Sequence, residues 1–428
     1  MKEGIEKPTK LLNRNFFLLW QGQAVSKIGS QFYLIAIILW LKHATQSGTL
    51  VGLMPAISGV LLVLLGPIGG TFADRYYRRN IIILTDLLSG IAVIGLAAMV
   101  FFFPTKTEIV VGCIFIVSII MAILSSFFGP AIEASIPDLV PKTKLQGANT
   151  LSQLSNQLSM LVGQGLGGML YTIIGGPVIF FFNGLTYLFS AISEMFITIP
   201  QTIPEKNKDG WKANFKEFKE NTLDGFRYIW KKSGLRELFS VSAVLNFFTM
   251  PVIILMPFFV EDHLKINATW YGIIMAVYAV GSLLGYTFGS IRKFSGSERR
   301  TFIILFLILE ASTYALMGLV ATIKIALILA VFAGFAGGFI TLNITTLLQL
   351  TTPGEIRGRV FGALGTLVAS IAPLGMALGG FVFDLLDQNV SIIYITCGSV
   401  MAVLSILISF NKNFRDYISF EITEDETG

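Results

Sequence analysis

Cysteine, histidine and charge are all scarce in this chain of 428 residues. The two cysteines, Cys113 and Cys397, lie inside apolar segments, which argues against a disulfide framework and against a thiolate metal site. The two histidines, His43 and His263, fall in predicted loops. Charged side chains make up 13% of the residues, too few to cover a soluble surface, so a bilayer is the solvent for most of the chain. Catalytic patterns are missing too. There is no Gly-x-Ser-x-Gly or His-Glu-x-x-His, the acids are not clustered, and no nucleotide-binding domain exists to use ATP. An enzyme, a metal and a bound cofactor are therefore not expected. Nor is a cleaved leader: the first ~14 residues are polar, and the first apolar segment, about 27 residues long, is a spanning helix rather than a signal-peptide core.

What is abundant is apolar length. Hydrophobic residues make up 54% of the chain and the mean hydropathy is +0.73. Runs able to cross roughly 30 Å of hydrocarbon occur twelve times, near 14–41, 48–73, 80–103, 108–131, 145–173, 177–199, 237–260, 268–291, 300–321, 325–350, 358–383 and 390–411. The expected fold is an all-α membrane protein with these twelve helices in two six-helix bundles, 1–199 and 237–411. With both termini in the cytoplasm, Lys42, Lys106, Lys265 and Lys324 lie outside and Lys27 lies within the membrane, which leaves the other 26 of 31 basic residues inside. The opposite orientation inverts that ratio, so the positive-inside rule selects the first. The same distribution explains the net charge of +5 without a nucleic-acid partner.

The one long connection, 200–236, holds Lys206, Lys208, Lys212, Lys216, Lys219, Arg227, Lys231, Lys232 and Arg236, with Trp211, Phe215, Phe218, Leu223, Phe226, Ile229 and Trp230 at helical spacing. That pattern predicts an amphipathic helix on the inner leaflet, against membrane lipids, linking the halves. The tail over 412–428 ends acidic, with Glu421, Glu424, Asp425 and Glu426, and is expected to be disordered. An internal repeat supports the two halves. Pro141, Gly163, Leu166, Gly167 and Gly168 recur 212 residues later as Pro353, Gly375, Leu378, Gly379 and Gly380, so the fifth and eleventh predicted helices read as copies of one element.

Between the second and third predicted helices stands a short polar stretch, Gly70-Thr71-Phe72-Ala73-Asp74-Arg75-Tyr76-Tyr77-Arg78-Arg79. Gly70 suits close approach of a neighbouring helix, Asp74 suits the positive N-terminal end of a helix, and the arginines suit acids or phosphates. A plain positive-inside anchor needs the arginines but neither the acid nor the glycine. The stretch resembles the loop 2–3 pattern of the major facilitator superfamily, Gly-x-x-x-Asp-Arg-x-Gly-Arg-Arg, with Tyr77 in place of a glycine. A weaker copy, Gly289 to Lys293 with Arg299 and Arg300, keeps the basic residues and lacks the acid.

Gly163-Gln164-Gly165-Leu166-Gly167-Gly168 matches a dinucleotide fingerprint as text, but no strand precedes it and it lies in an apolar helix, so close helix packing is the physical reading. It resembles the antiporter pattern Gly-Pro-x-x-Gly-Gly of exporting facilitators, with Gln164 in place of proline. Lys27 stands near the middle of the first predicted helix, where a charge costs roughly 2.5 kcal/mol or more without water or a partner. It fits a cavity wall, as a site for an anionic group, a titrating carrier or a structural ion pair. Three acids interrupt apolar runs. Asp86 is placed to pair with the arginine loop, Glu310 is the better candidate proton carrier, and Glu194 is the third. Glu133 is expected to join the Asp74 and arginine network. Gln23, Gln31, Phe32, Asn156, Asn246, Phe247 and Asn343 are expected to line the cavity and suit an amphipathic organic ligand.

Trp20 to Ser26, Pro130 to Asn149, Asp224 to Tyr228 and Arg357 to Phe361 resemble the macrolide-efflux and siderophore-export branch of the major facilitators. That resemblance implies a monomeric transporter of the bacterial cytoplasmic membrane exporting a small amphipathic molecule against proton entry, with Asp74 docking near Gly358 to lock an inner gate. A lipid or lysolipid flippase of the same fold, and a receptor that moves nothing, remain as alternatives.

Overall fold

The computed structural model describes residues 10–201, 210–291 and 294–421. No strand occurs among the described residues. The helices are α1 (Arg14–Thr45), α2 (Gly48–Arg75), α3 (Arg78–Phe102), α4 (Thr107–Leu139), α5 (Leu145–Ile174), α6 (Gly176–Met195), α7 (Gly210–Lys231), α8 (Ser233–Ile254), the short α9 (Met256–Phe258), α10 (Thr269–Ile291), α11 (Gly296–Met317), α12 (Ile323–Thr351), α13 (Gly354–Leu385), α14 (Val390–Ser409) and α15 (Lys412–Ile418). Among the described residues, eleven are long and apolar enough to cross a membrane. The twelfth expected span, α5, falls short because Asn149, Ser152, Gln153, Asn156 and Gln157 interrupt its N-terminal half, and several of these face a cavity. Ile291, Phe410 and Phe102 leave 80%, 74% and 71% of their surface uncovered, as lipid-facing side chains do.

The chain forms two compact units: Met1–Gln46 with Ile57–Phe218, and Ser47–Ala56 with Lys219–Gly428. The division runs through two helices. The first turns of α2 belong to the second unit, and so does the later part of α7. Gly225 explains the latter, because its missing side chain lets α7 rest on the carbonyl of Arg359 in α13. Ile229 is then fully buried in the second unit's core beside Val360 and Ala363. Lys206 and Lys208, and the side chains of Trp211, Lys212, Phe215, Lys216 and Phe218, lie outside the described residues, as do Arg292, Lys293, Glu424, Asp425 and Glu426.

In the first unit α1 packs on α5 and α6, and α3 on α4 and α6. A side chain on Gly163 or Gly167 would collide with Gln31 or Ile35 of α1. The second unit repeats this contact: Gly375 and Gly379 of α13 meet Phe247 and Pro251 of α8, again four residues apart. The sequence repeat is therefore a repeat of one helix-on-helix contact.

Two expectations are corrected. The segment after Asn411 is ordered as far as Glu421: Asn411 caps α15, Phe414 and Ile418 are fully buried, and Arg299 donates to the carbonyl of Ile418 at 3.1 Å. Apolar residues at helical spacing outweigh the acidic end there. The histidines are in helical segments rather than loops. His43 lies in the last turn of α1, and His263 ends a π-turn over Phe259–His263, with Nε2 2.7 Å from the carbonyl of Val320 and Nδ1 3.0 Å from Ser391.

Candidate functional site

The loop between α2 and α3 ties helix ends of the first unit together. Arg78 donates through Nη1 to Asp138 at 2.6 Å and to the carbonyl of Ala134 at 2.7 Å, and lies 3.6 Å from Asp74 through Nη2. Its backbone N–H donates to Gln201 at 2.9 Å, and Arg79 donates to the carbonyl of Met195 at the end of α6. One guanidinium thus joins α2, α3 and α4, using the forked donors that suit a carboxylate. Asp74 remains 62% exposed, and Gly358 has open space where a side chain would stand. Gly70 also faces open space; the close approach expected of it belongs to Gly69, whose Cβ would strike the carbonyl of Ser126.

Glu133 is not part of that network. Helix α4 runs through Pro130 and Pro137 to Leu139, beyond its predicted end at 131, so Asp138 rather than Glu133 reaches Arg78. Prolines are tolerated inside such a helix where neighbouring groups satisfy the freed carbonyls. Glu133 instead lines a cavity of about 580 Å³ within the first unit, together with Lys27 and Gln23 of α1, Phe128 of α4, and Asn149, Gln153 and Asn156 of α5. All of these lie in the helix halves nearest the arginine loop, so the cavity belongs to that end of the unit. Lys27 makes no ion pair among the described residues, and its cost is relieved by the cavity. Trp20 forms part of the wall and donates to the carbonyl of Leu151 at 3.4 Å.

The other expected lining residues go elsewhere. Gln31 is packed against Gly163, while Phe32 lines a separate apolar hollow with Phe182 and Ile174. In the second unit Phe247 stacks edge-on against Phe248, Asn343 donates back to the carbonyl of Phe339 at 2.9 Å, and Asn246 has a buried Oδ1 without a partner among the described residues. Gln164 is half-buried and Gly168 buried, within the α5 surface that packs. Arg75 is exposed beside Asp74.

Asp86 does not pair with the arginines. It points into the contact of α3 with α6, is 2% exposed, and faces Ser190. Ser190 lies 3.3 Å from Glu194, which is 1% exposed and accepts from Gln23 Nε2 at 2.9 Å. A lone acid in the second unit, Glu310, accepts from Tyr314 at 3.2 Å, next to Tyr278 and under Gly337.

One site was missed by the sequence reading. Asp384, in the last turn of α13, accepts from Ser47 Oγ at 2.7 Å, Gly48 N at 2.7 Å and Thr49 N at 2.9 Å. It caps α2, whose Gly48 and Gly52 rest on Gly380 and Met376 of α13. The signal available was a Ser-Gly-Thr helix start, whose acid partner lies far along the chain. Lys42 was likewise placed in an outer loop, yet it sits in α1 with 1% exposure.

Two solved structures share this fold. The nucleoside transporter NupG matches with a TM-score of 0.71 at 13% identity, over 95% of this chain and all of that one. A bacterial homologue of the human lysosomal transporter Spinster matches with a TM-score of 0.67 at 15% identity, over 95% and 96%. The spanning helices, the repeated glycine contact and the loop between α2 and α3 define a transporter of the major facilitator type. Within that class, the chain belongs to the family described as transmembrane secretion effector, whose model matches residues 8–424. Among curated relatives, macrolide efflux protein A of Streptococcus pyogenes is 26% identical over 87% of this chain and 90% of its own length. The multidrug efflux pump Tap of Mycolicibacterium fortuitum is 23% identical over 88% and 91%.

Proposed function

We propose that this transporter exports a small amphipathic molecule, such as an antibiotic, another drug or a siderophore, from the bacterial cytoplasm in exchange for protons. The observation that carries this reading is the inner-end cavity of the first unit, where aromatic and aliphatic walls meet side-chain amides, one lysine and one glutamate. Such a lining suits an organic ligand with a few polar groups, whereas a bare ion requires several oxygen ligands around one point. The relatives named for macrolide and multidrug efflux support the same direction and ligand class. The protein works as a monomer in the cytoplasmic membrane with both termini inside, and alternates between inner and outer access. When the inner side shuts, Asp74 docks on the first turn of α13 near Gly358.

The test is a growth panel of macrolides, dyes and siderophores in cells with and without the gene, repeated with a protonophore. Resistance that the gene confers and the protonophore abolishes is expected. Resistance indifferent to the protonophore removes proton coupling. Movement of lipid by the purified protein without a gradient replaces the exporter with a flippase.

A further inference from the structure

We propose that Asp86 and Glu194 together form a site for one shared proton, connected to the substrate cavity through Gln23. The inference rests on the proton-driven reading above for its role in transport, but not for the occupancy of the site. Both carboxyls are withdrawn from solvent, and each has a buried oxygen, Asp86 Oδ2 and Glu194 Oε2, with no hydrogen-bond partner among the described residues. The donors facing the pair are the amide of Gln23, which lies 2.9 Å from Glu194 Oε1 and 3.5 Å from Ser190, and the single hydroxyl hydrogen of Ser190. Tyr187, on the same face of α6, is engaged with Ser30 at 2.8 Å. Four carboxyl oxygens therefore face too few donors, and a proton held on one acid adds the donor that is missing.

Charge makes the same demand. Neither acid forms an ion pair among the described residues. Helix α1 presents Gln23, Ser30 and Tyr33 to this region, and α6 presents Tyr187, Ser190 and Glu194. Helix α4, packed on the other side of α3, carries its acids at Glu108, Glu133 and Asp138, near its ends, and no basic residue. The cation at hand is Arg79, which donates to the carbonyl of Met195 and not to Glu194. Two negative charges in one apolar contact without a counter-ion repel each other and lose their hydration, so the pair holds a single negative charge and one proton.

Gln23 gives the site its connection. Its amide touches Glu194, and its side chain also forms part of the cavity wall one helical turn from Lys27. A ligand that draws the Gln23 amide into the cavity removes a donor from Glu194, and protonation of Glu194 releases the amide toward the ligand. Substrate and the ionised carboxylate thus compete for one amide, which links occupation of the cavity to protonation of the pair.

The test uses purified full-length protein in lipid nanodiscs, followed by the infrared C=O band of protonated carboxyl groups in light and heavy water at neutral pH. Asp86→Asn and Glu194→Gln should each remove the same single band, and the double variant no more than either alone, because an amide in place of one acid supplies a donor and leaves the other ionised. Losses that add, or an unchanged band in both, overturn the shared proton. Glu310 contributes equally to all these samples and cancels. In proteoliposomes, Glu194→Gln should lose uptake or efflux driven by a pH gradient and retain gradient-independent exchange of a fluorescent macrolide, whereas Gln23→Leu, which leaves both acids in place, should keep the infrared band. Gradient-driven transport surviving in Glu194→Gln overturns the coupling. A wild-type protein indifferent to the gradient instead removes the exporter mechanism, while the infrared result still decides whether the proton is there. Unchanged melting curves identify variants that are folded.

Discussion

Lys27, a cation within an apolar run, lines the cavity beside α1, α4 and α5, which accounts for its being tolerated. Lys27→Gln removes the charge from the cavity and keeps a polar, slightly shorter side chain. For a substrate with an anionic or strongly accepting group, the loss of about 1.5–3 kcal/mol raises the transport KM by roughly ten- to a hundredfold. Concentration-dependent transport in vesicles measures this, and an unchanged KM for every exported compound removes Lys27 from the binding site. The arginine network supplies a second prediction. Asp138→Asn weakens the 2.6 Å pair with Arg78 and should destabilise the protein by about 1–3 kcal/mol, whereas Glu133→Gln, which breaks no ion pair, should leave the melting temperature in place. The sequence pointed to Glu133 because the predicted fourth helix ends near 131 and leaves Glu133 just beyond it. The helix continues through Pro130 and Pro137, and a shift of five residues changes which acid faces the loop. Residue identity was legible here, but helix phase was not.

At the scale of helices, glycines divide into those that hold a contact and those that do not. The superfamily resemblance drew attention to Gly70, which faces open space, while its neighbour Gly69 lies on the carbonyl of Ser126. Gly69→Ala should therefore cost about 1–3 kcal/mol by overpacking, and Gly70→Ala should be neutral or slightly stabilising through the lower entropy of its unfolded chain. Comparing detergent melting curves of the two variants separates them, and equal curves contradict the contact. The repeat was more legible than the loop. Text alone relates Gly163 and Gly167 to Gly375 and Gly379, and the structure supplies the partners, Gln31 and Ile35 on α1 and Phe247 and Pro251 on α8. Those partners could not be read beforehand, because a glycine announces that something comes close without announcing what.

At the scale of the whole molecule, α2 is the element to watch, because its first turns belong to one compact unit and the rest to the other. Two aspartates occupy matching places, Asp74 one residue from the end of α2 and Asp384 one residue from the end of α13. Asp384 is engaged: both of its oxygens accept from the start of α2 at 2.7–2.9 Å. In the proposed alternating cycle, Asp384 releases those bonds when the outer side opens, and Asp74 forms the equivalent ones when the inner side shuts. Asp384→Asn keeps the shape and halves the acceptors, so the inward-accessible population should fall by a shift of about 1–2 kcal/mol, or roughly five- to thirtyfold. Asp74→Asn should shift it the other way. The reporter is Ser152→Cys, beside the inner cavity, in a background with Cys113→Ser and Cys397→Ser, labelled by an impermeant maleimide from the cytoplasmic face of inverted vesicles. Slower labelling in Asp384→Asn with faster labelling in Asp74→Asn supports a pair of opposed latches. If both variants move the rate in the same direction, the two aspartates act as local helix caps, and the equilibrium between inner and outer access is set by other contacts.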